Sequence, residues 1–307
     1  IANSVMSDGK IGLILRSPAV SLGVSAASAQ DLSFSGEFGA TAGMIAAFEV
    51  DGSSSSPDTA TVGYGELDGR VVLDINNAFI LAFDASYRSD DFSSSGDFDS
   101  DEDPELSNTV GLHGYYKLPN SLVGGFVGYA DTRPQDGDVE DSYDAMIYGV
   151  GAQTFLFDDL LVFGQISVSD KVRDGQDYRE GIIGGLGVGS GSQYFMSDTQ
   201  AWTLDLEYLA LDQYIDSSDP GRGFGVNITY EHMIETSFAP IVLSAGAGYN
   251  YLSSTDEGDD IEEVTASLGI RFLFGNANDL RSRAETGANL DTPYLPARMA
   301  GWTEWMD

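Results

Sequence analysis

The stretch Glu263 to Phe274, "EVTASLGIRFLF", decides how this chain is read. Every second residue from Val264 onward (Ala266, Leu268, Ile270, Phe272 and Phe274) is apolar, and Thr265, Ser267, Gly269 and Arg271 alternate with them. A period of two is the signature of a strand with one apolar face, because successive side chains of an extended chain point to opposite sides. The stretch belongs to a chain with a formal charge of −35, from 49 acidic against 14 basic residues. In so acidic a protein, a long apolar strand face must meet either a second sheet or lipid.

The same alternation recurs along the chain. In "LSFSGEFGATAG" (32–43), Leu32, Phe34 and Phe38 share a face opposite Ser33, Ser35 and Glu37. In "YGELDGRVVLDI" (64–75), Leu67, Val71, Leu73 and Ile75 oppose Glu66, Asp68, Arg70 and Asp74. Nine further segments follow, among them "AFILAFDASYR" (78–88), "VGLHGYYKL" (110–118), "AWTLDLEYLAL" (201–211) and "GFGVNITYEH" (223–232), which makes twelve strands with the opening stretch. Most run to about 10 residues, longer than the 5 to 6 usual in globular proteins and close to the roughly 9 to 11 that cross a bilayer at a tilt.

The connections alternate as well. Acidic, Ser/Gly/Pro-rich stretches such as "DGSSSSPDTA" (51–60) and "DTRPQDGDVEDS" (131–142) follow the odd strands. Short ones follow the even strands: "NN" at 76–77, "PNS" at 119–121, "FDD" at 157–159 and a stretch around "ETSFAP". The turn near "GSQYFMSDTQ" reads as longer than this rule. Long loops at one rim and short turns at the other are the pattern of an all-β, transmembrane, antiparallel up-and-down β-barrel of about twelve strands. An even count puts both ends of the barrel at the short-turn rim.

Composition excludes other classes. Nucleic-acid binding needs clustered Lys and Arg to neutralise phosphates, and this chain lacks them, so nucleic acid is not a partner. Without cysteine there is no disulfide framework, thiolate nucleophile or Cys-ligated zinc. After the first 29 residues no apolar run approaches the roughly 18 to 20 residues of a membrane-spanning helix.

On these residues the chain resembles the Gram-negative outer-membrane β-barrel proteins, porin-like in organisation, over 31–274. Ser267, Gly269, Phe272 and Phe274 match the polar-x-Gly-x-x-aromatic-x-aromatic pattern of that family's last strand. The resemblance implies that these four residues are the assembly signal read by the barrel-assembly machinery. It also implies a location in the cell outer membrane, among lipid and lipopolysaccharide. The chain departs from the commonest pattern in that 33 residues follow Phe274. A soluble sandwich or propeller is the rival reading. Three features oppose it: the strand length, the aromatic residues near strand ends (Tyr87, Tyr116, Tyr249, Tyr251, Phe274), and the charge on the polar faces.

If the apolar faces meet lipid, the polar faces line a lumen. The candidate pore-lining residues are Glu66, Asp68, Arg70, Asp74, Asp84, Arg88, His113, Lys117, Asp205, Glu207 and Arg271. Eight strands are filled by their own side chains and 16 to 18 leave an aqueous channel, so twelve falls between. The expectation is a narrow channel for passive diffusion of small hydrophilic solutes or ions, preferring cations because carboxylates are in excess. The alternative is a closed structural barrel whose basic residues pair with carboxylates and whose surface loops or tail bind a partner. A homo-oligomer is compatible with either, since a lipid face and a subunit interface are both apolar.

Enzymatic motifs such as G-x-S-x-G, H-E-x-x-H and G-x-x-x-x-G-K-[ST] do not occur, so no catalytic residue and no cofactor is expected. His113 falls in the middle of a strand and His232 near the short-turn end of its own. The spacing Asp97, Asp99, Asp101 suggests a calcium loop, but Glu102 stands where Gly is required and Asn108 where a bidentate Glu is required, so no metal site is read. Residues 1–29, with Lys10, Arg16 and "ASA" at 27–29, read as a signal peptide. Residues 30–274 read as the barrel. Residues 275–307 read as a periplasmic C-terminal tail: its Pro293 and Pro296 preclude one long helix, and Trp302 and Trp305 would suit a partner or a membrane surface.

Overall fold

The computed structural model describes residues 32–50, 59–91, 105–134, 143–171, 183–213, 221–254, 260–276 and 278–292. The signal-peptide reading of 1–29, the calcium-like spacing at 97–101 and the two tail tryptophans fall outside these residues.

Twelve antiparallel strands close into one barrel in sequence order. They are β1 (Leu32–Val50), β2 (Thr59–Ile75), β3 (Phe79–Asp91), β4 (Glu105–Leu118), β5 (Ser121–Pro134) and β6 (Tyr143–Phe157). The second half comprises β7 (Leu160–Lys171), β8 (Ile183–Ser197), β9 (Gln200–Gln213), β10 (Gly221–Ile234), β11 (Ile241–Ser254) and β12 (Asp260–Gly275). Closure leaves no exposed edge, so every strand finds backbone partners on both sides, as a low-dielectric surrounding requires. The closing pair runs from Ser35↔Gly275 to Val50↔Asp260.

The strands span 12 to 19 residues and extend into segments that composition assigns to loops. β8 shows why. Its "GLGVGSG" core offers little side-chain alternation, yet the strand continues through Tyr194 and Met196 to Ser197 and joins β9 across Asp198 and Thr199. The turn that reads as long from sequence is therefore short like its neighbours. At the β2–β3 turn, Asn76 and Asn77 sit at φ 55° and 51°, a left-handed conformation that asparagine tolerates better than most residues.

The outward face carries an apolar belt in which Phe38, Phe83, Leu112, Val150, Ile166 and Leu268 are all exposed. Aromatic pairs cluster at the short-turn rim: Phe34 with Phe274 at 5.8 Å, Phe79 with Tyr116 at 5.2 Å, and Trp202 with Tyr230 at 5.0 Å. Phe274 also covers Gly36, its registered partner on β1; a Cβ there would come within 2.4 Å of the Phe274 ring. A solvated soluble barrel has no use for such a belt, whereas a lipid bilayer requires one.

After β12 the chain turns into the barrel. A short helix, α1 (Leu280–Glu285), begins at Asp279, which accepts from the backbone of Ser282 at 2.6 Å while the Ser282 hydroxyl accepts from the Asp279 backbone at 3.2 Å. It ends at Thr286 and Gly287, the latter at φ 83°. This is a capped helix by ordinary rules. Leu280 and Ala284 close over inward-facing Leu161, Phe195, Ala201, Met233, Val242 and Leu273 at the short-turn rim. Beyond the helix, Leu290 packs among Val72, Ile80, Ala82, Tyr115 and Leu122. The tail thus differs from a free extension over its described part. Inward apolar side chains at this rim would otherwise face water, and folding the tail inside removes that cost.

Candidate functional site

The lumen is the concave, polar part of the molecule, and alternation along each strand sets which side chains reach it. Glu66, Asp68, Arg70 and Asp74 of β2, Asp84 and Arg88 of β3, His113 and Lys117 of β4, Asp205 and Glu207 of β9, and Arg271 of β12 lie on the lumenal faces of their strands. Of the four residues that match the last-strand pattern, Ser267 and Gly269 turn inward, while Phe272 and Phe274 stand outward with exposed rings.

Most of the wall charge is paired. Lys117 Nζ donates to Asp74 at 2.7 Å, and Arg271 Nη2 donates to Asp68 at 3.0 Å. Arg88 donates twice to Asp90, at 2.6 and 3.0 Å, and lies 3.9 Å over the Tyr64 ring, with Glu66 opposite it in register. His113 is buried, held on one side by Asp84 and on the other by the Tyr115 hydroxyl at 3.0 Å. Basic side chains of the wall are therefore largely consumed, as a low-dielectric lumen demands of buried ions.

Sequence reasoning missed the residues the tail brings in. Arg283 is buried between Glu37 of β1 and Glu231 of β10: it contacts Glu37 through Nε and donates from Nη1 to Glu231 at 2.7 Å. Burial alone would lower the Arg283 pKa, but Glu231 and Glu37 outweigh it and hold the guanidinium above its ordinary value. Asp291 meets Arg70. Gln153 donates to the carbonyl of Ala284 at 2.6 Å, Asn289 donates to Gln193 at 2.8 Å, and Tyr115 donates to the carbonyl of Leu290 at 2.9 Å. Thr292 reaches the middle of β4 and β5 and sits beside His113 and Asp84, at 3.3 and 3.4 Å. A signal was present in the sequence: the helix caps, and Leu280 and Ala284 at a spacing of four.

Alongside the tail, the lumen keeps an open cavity of about 360 Å³. Thr203, Asp205 and Glu207 of β9 and Asn227 and Thr229 of β10 line it together with residues of β1, β7, β8, β11 and β12, and Ala288, Asn289, Asp291 and Thr292 line it from the tail. Asp205, Glu207, Glu231 and Asp291 line it against Arg271 and Arg283, so carboxylates outnumber guanidiniums even where ions pair. The arrangement is a polar space with more carboxylates than guanidiniums on its lining. Outside the cavity lining, Nε2 of His113 faces Asp84 and Thr292 together, inside a buried cluster.

No protein-family model matches the chain, and no curated protein matches it in sequence. Solved structures do. The COG4313 outer membrane channel from Pseudomonas putida F1 aligns with a TM-score of 0.59 at 15% identity, covering 78% of this chain and 95% of that one. The KdgM porin, solved with disordered oligogalacturonate, aligns at 0.42 and 10% identity over 76% of this chain and 99% of its own. The outer membrane channel DcaP of Acinetobacter baumannii aligns at 0.40 and 12% identity, over 80% and 97%. The chain therefore shares its fold with the Pseudomonas putida outer membrane channel, here as a closed twelve-strand barrel, and its outward apolar belt is what a lipid bilayer requires.

Proposed function

We propose that this barrel is a channel for passive diffusion of small hydrophilic solutes or ions, with a preference for cations, and that it has no enzymatic role. The observation that carries the reading is the polar cavity beside the tail, which Asp205, Glu207, Glu231 and Asp291 line against Arg271 and Arg283. In a space this narrow every wall charge lies within a Debye length of a passing ion, about 8 to 10 Å in ordinary salt, so the excess charge acts on permeation. Purified protein in a planar bilayer under a salt gradient tests it: a small conductance with a cation-selective reversal potential that weakens as salt rises is expected.

The tail's occupation of the short-turn half of the lumen favours a second reading, a closed structural barrel whose loops or tail bind a partner. A silent bilayer from well-folded protein would support that reading and end the first.

A further inference from the structure

The tail is seated asymmetrically. Toward β2 to β6 the segment after the helix is packed: Leu290 is fully buried, and Thr292 fits where β4 and β5 carry Gly111 and Gly128. A Cβ at Gly111 would come 1.9 Å from Thr292 Oγ1, and one at Gly128 would come 2.6 Å from Thr292 Cγ2. The wall on this side is shaped to admit the tail. On its other side the same segment meets the wall at Gln193 of β8 through Asn289 and borders the 360 Å³ cavity, with Asn289 and half-exposed Asp291 on its lining.

We infer that the C-terminal segment Gly287–Thr292 is a fixed wall of the permeation path: above the helix it fills the β2–β6 side of the lumen and confines passage to the cavity beside it, which β7 to β12 and β1 line. Asn289 and Asp291 then set width and charge together with Asp205, Glu207 and Asn227, so the tail determines specificity. The inference rests on the channel reading. Its physical basis is that a guanidinium buried between two carboxylates, an apolar cap over the rim and a threonine seated against glycine each tie the segment down.

Because the chain contains no cysteine, Asn289→Cys introduces a single thiol. The full-length variant is reacted with a trimethylammonium methanethiosulfonate reagent, labelling is counted by mass, and single-channel current is compared before and after. A several-fold fall in current on full labelling is expected. A current that does not change on full labelling, or a thiol that cannot be labelled in a conducting barrel, would overturn the inference alone. A wild-type barrel that never conducts would take down the channel reading with it. As a second variant, Gly111→Val pushes Thr292 off its seat while leaving the tail covalently intact. Its folded barrel should conduct several-fold more and admit larger solutes, and an unchanged current would count equally against the tail as pore wall.

Discussion

Arg283 and Glu231 meet across 2.7 Å, joining a segment that follows the last strand to the inside of β10. Both are buried, and Glu37 holds the same guanidinium from β1 on the barrel's closing seam. The tail is thereby tied to two strands that are not neighbours, inside a lumen that the strands alone would leave open at this rim.

Arg283→Met should loosen the tail without opening the barrel. Removing one member of a buried ionic cluster leaves the others uncompensated, at a cost of about 3–5 kcal/mol. Backbone hydrogen exchange over residues 278–292 should accelerate strongly, while exchange in β1 and β10 stays slow. Exchange equal to wild type in the tail would show that the apolar cap alone holds it.

Leu280→Ala addresses that cap. Leu280 is fully buried among Leu161, Phe195, Met233 and Leu273, and truncating such a side chain costs about 2–5 kcal/mol. Tail cleavage by added protease should become faster in the variant. Equal cleavage rates would place the tail's anchorage at Arg283 and Asp291 instead.

Neutralising the cavity wall should change selectivity. Asp205→Asn with Glu207→Gln removes charge from the open side of the lumen and should move the reversal potential toward anions. Asp68→Asn should move it as well, through a different route, because Asp68 holds Arg271 at 3.0 Å and its neutralisation leaves that guanidinium under-compensated. Anion preference already present in the wild type would show that the arginines set the constriction.

Phe274→Asp should impair assembly more than export. Its ring packs on Phe34 and covers Gly36 at the seam, and a carboxylate there would face the lipid interface. Fractionation should find the exported chain with little folded barrel in the outer membrane; a normal barrel yield would remove Phe274 from the assembly signal.

Leu268→Arg tests the belt itself. Leu268 is 69% exposed halfway along β12, where a lipid-facing Arg costs about 2–4 kcal/mol. Unfolding in lipid vesicles should shift to lower denaturant by a corresponding amount, and no shift would mean that this face meets protein rather than lipid.

The sequence by itself determined the barrel. Alternation is a local property: once Val264 to Phe274 and the other segments declare an apolar face with no soluble counterpart, strand number, order and the inward set Glu66, Asp68, Arg70, Asp74 follow from period and connection length. It fell short at β8, where glycines on the inward face gave alternation nothing to register. What only the tertiary structure decided is the fate of the tail. "DLRSRAETGANL" carries ordinary helix caps, but whether its leucines and Arg283 turn to water, a partner or the lumen depends on the apolar ring, on the Glu37–Glu231 pair and on Gly111 and Gly128. Those groups come from strands far apart in the chain. No local pattern reports that they converge, because their convergence exists only after the barrel has closed.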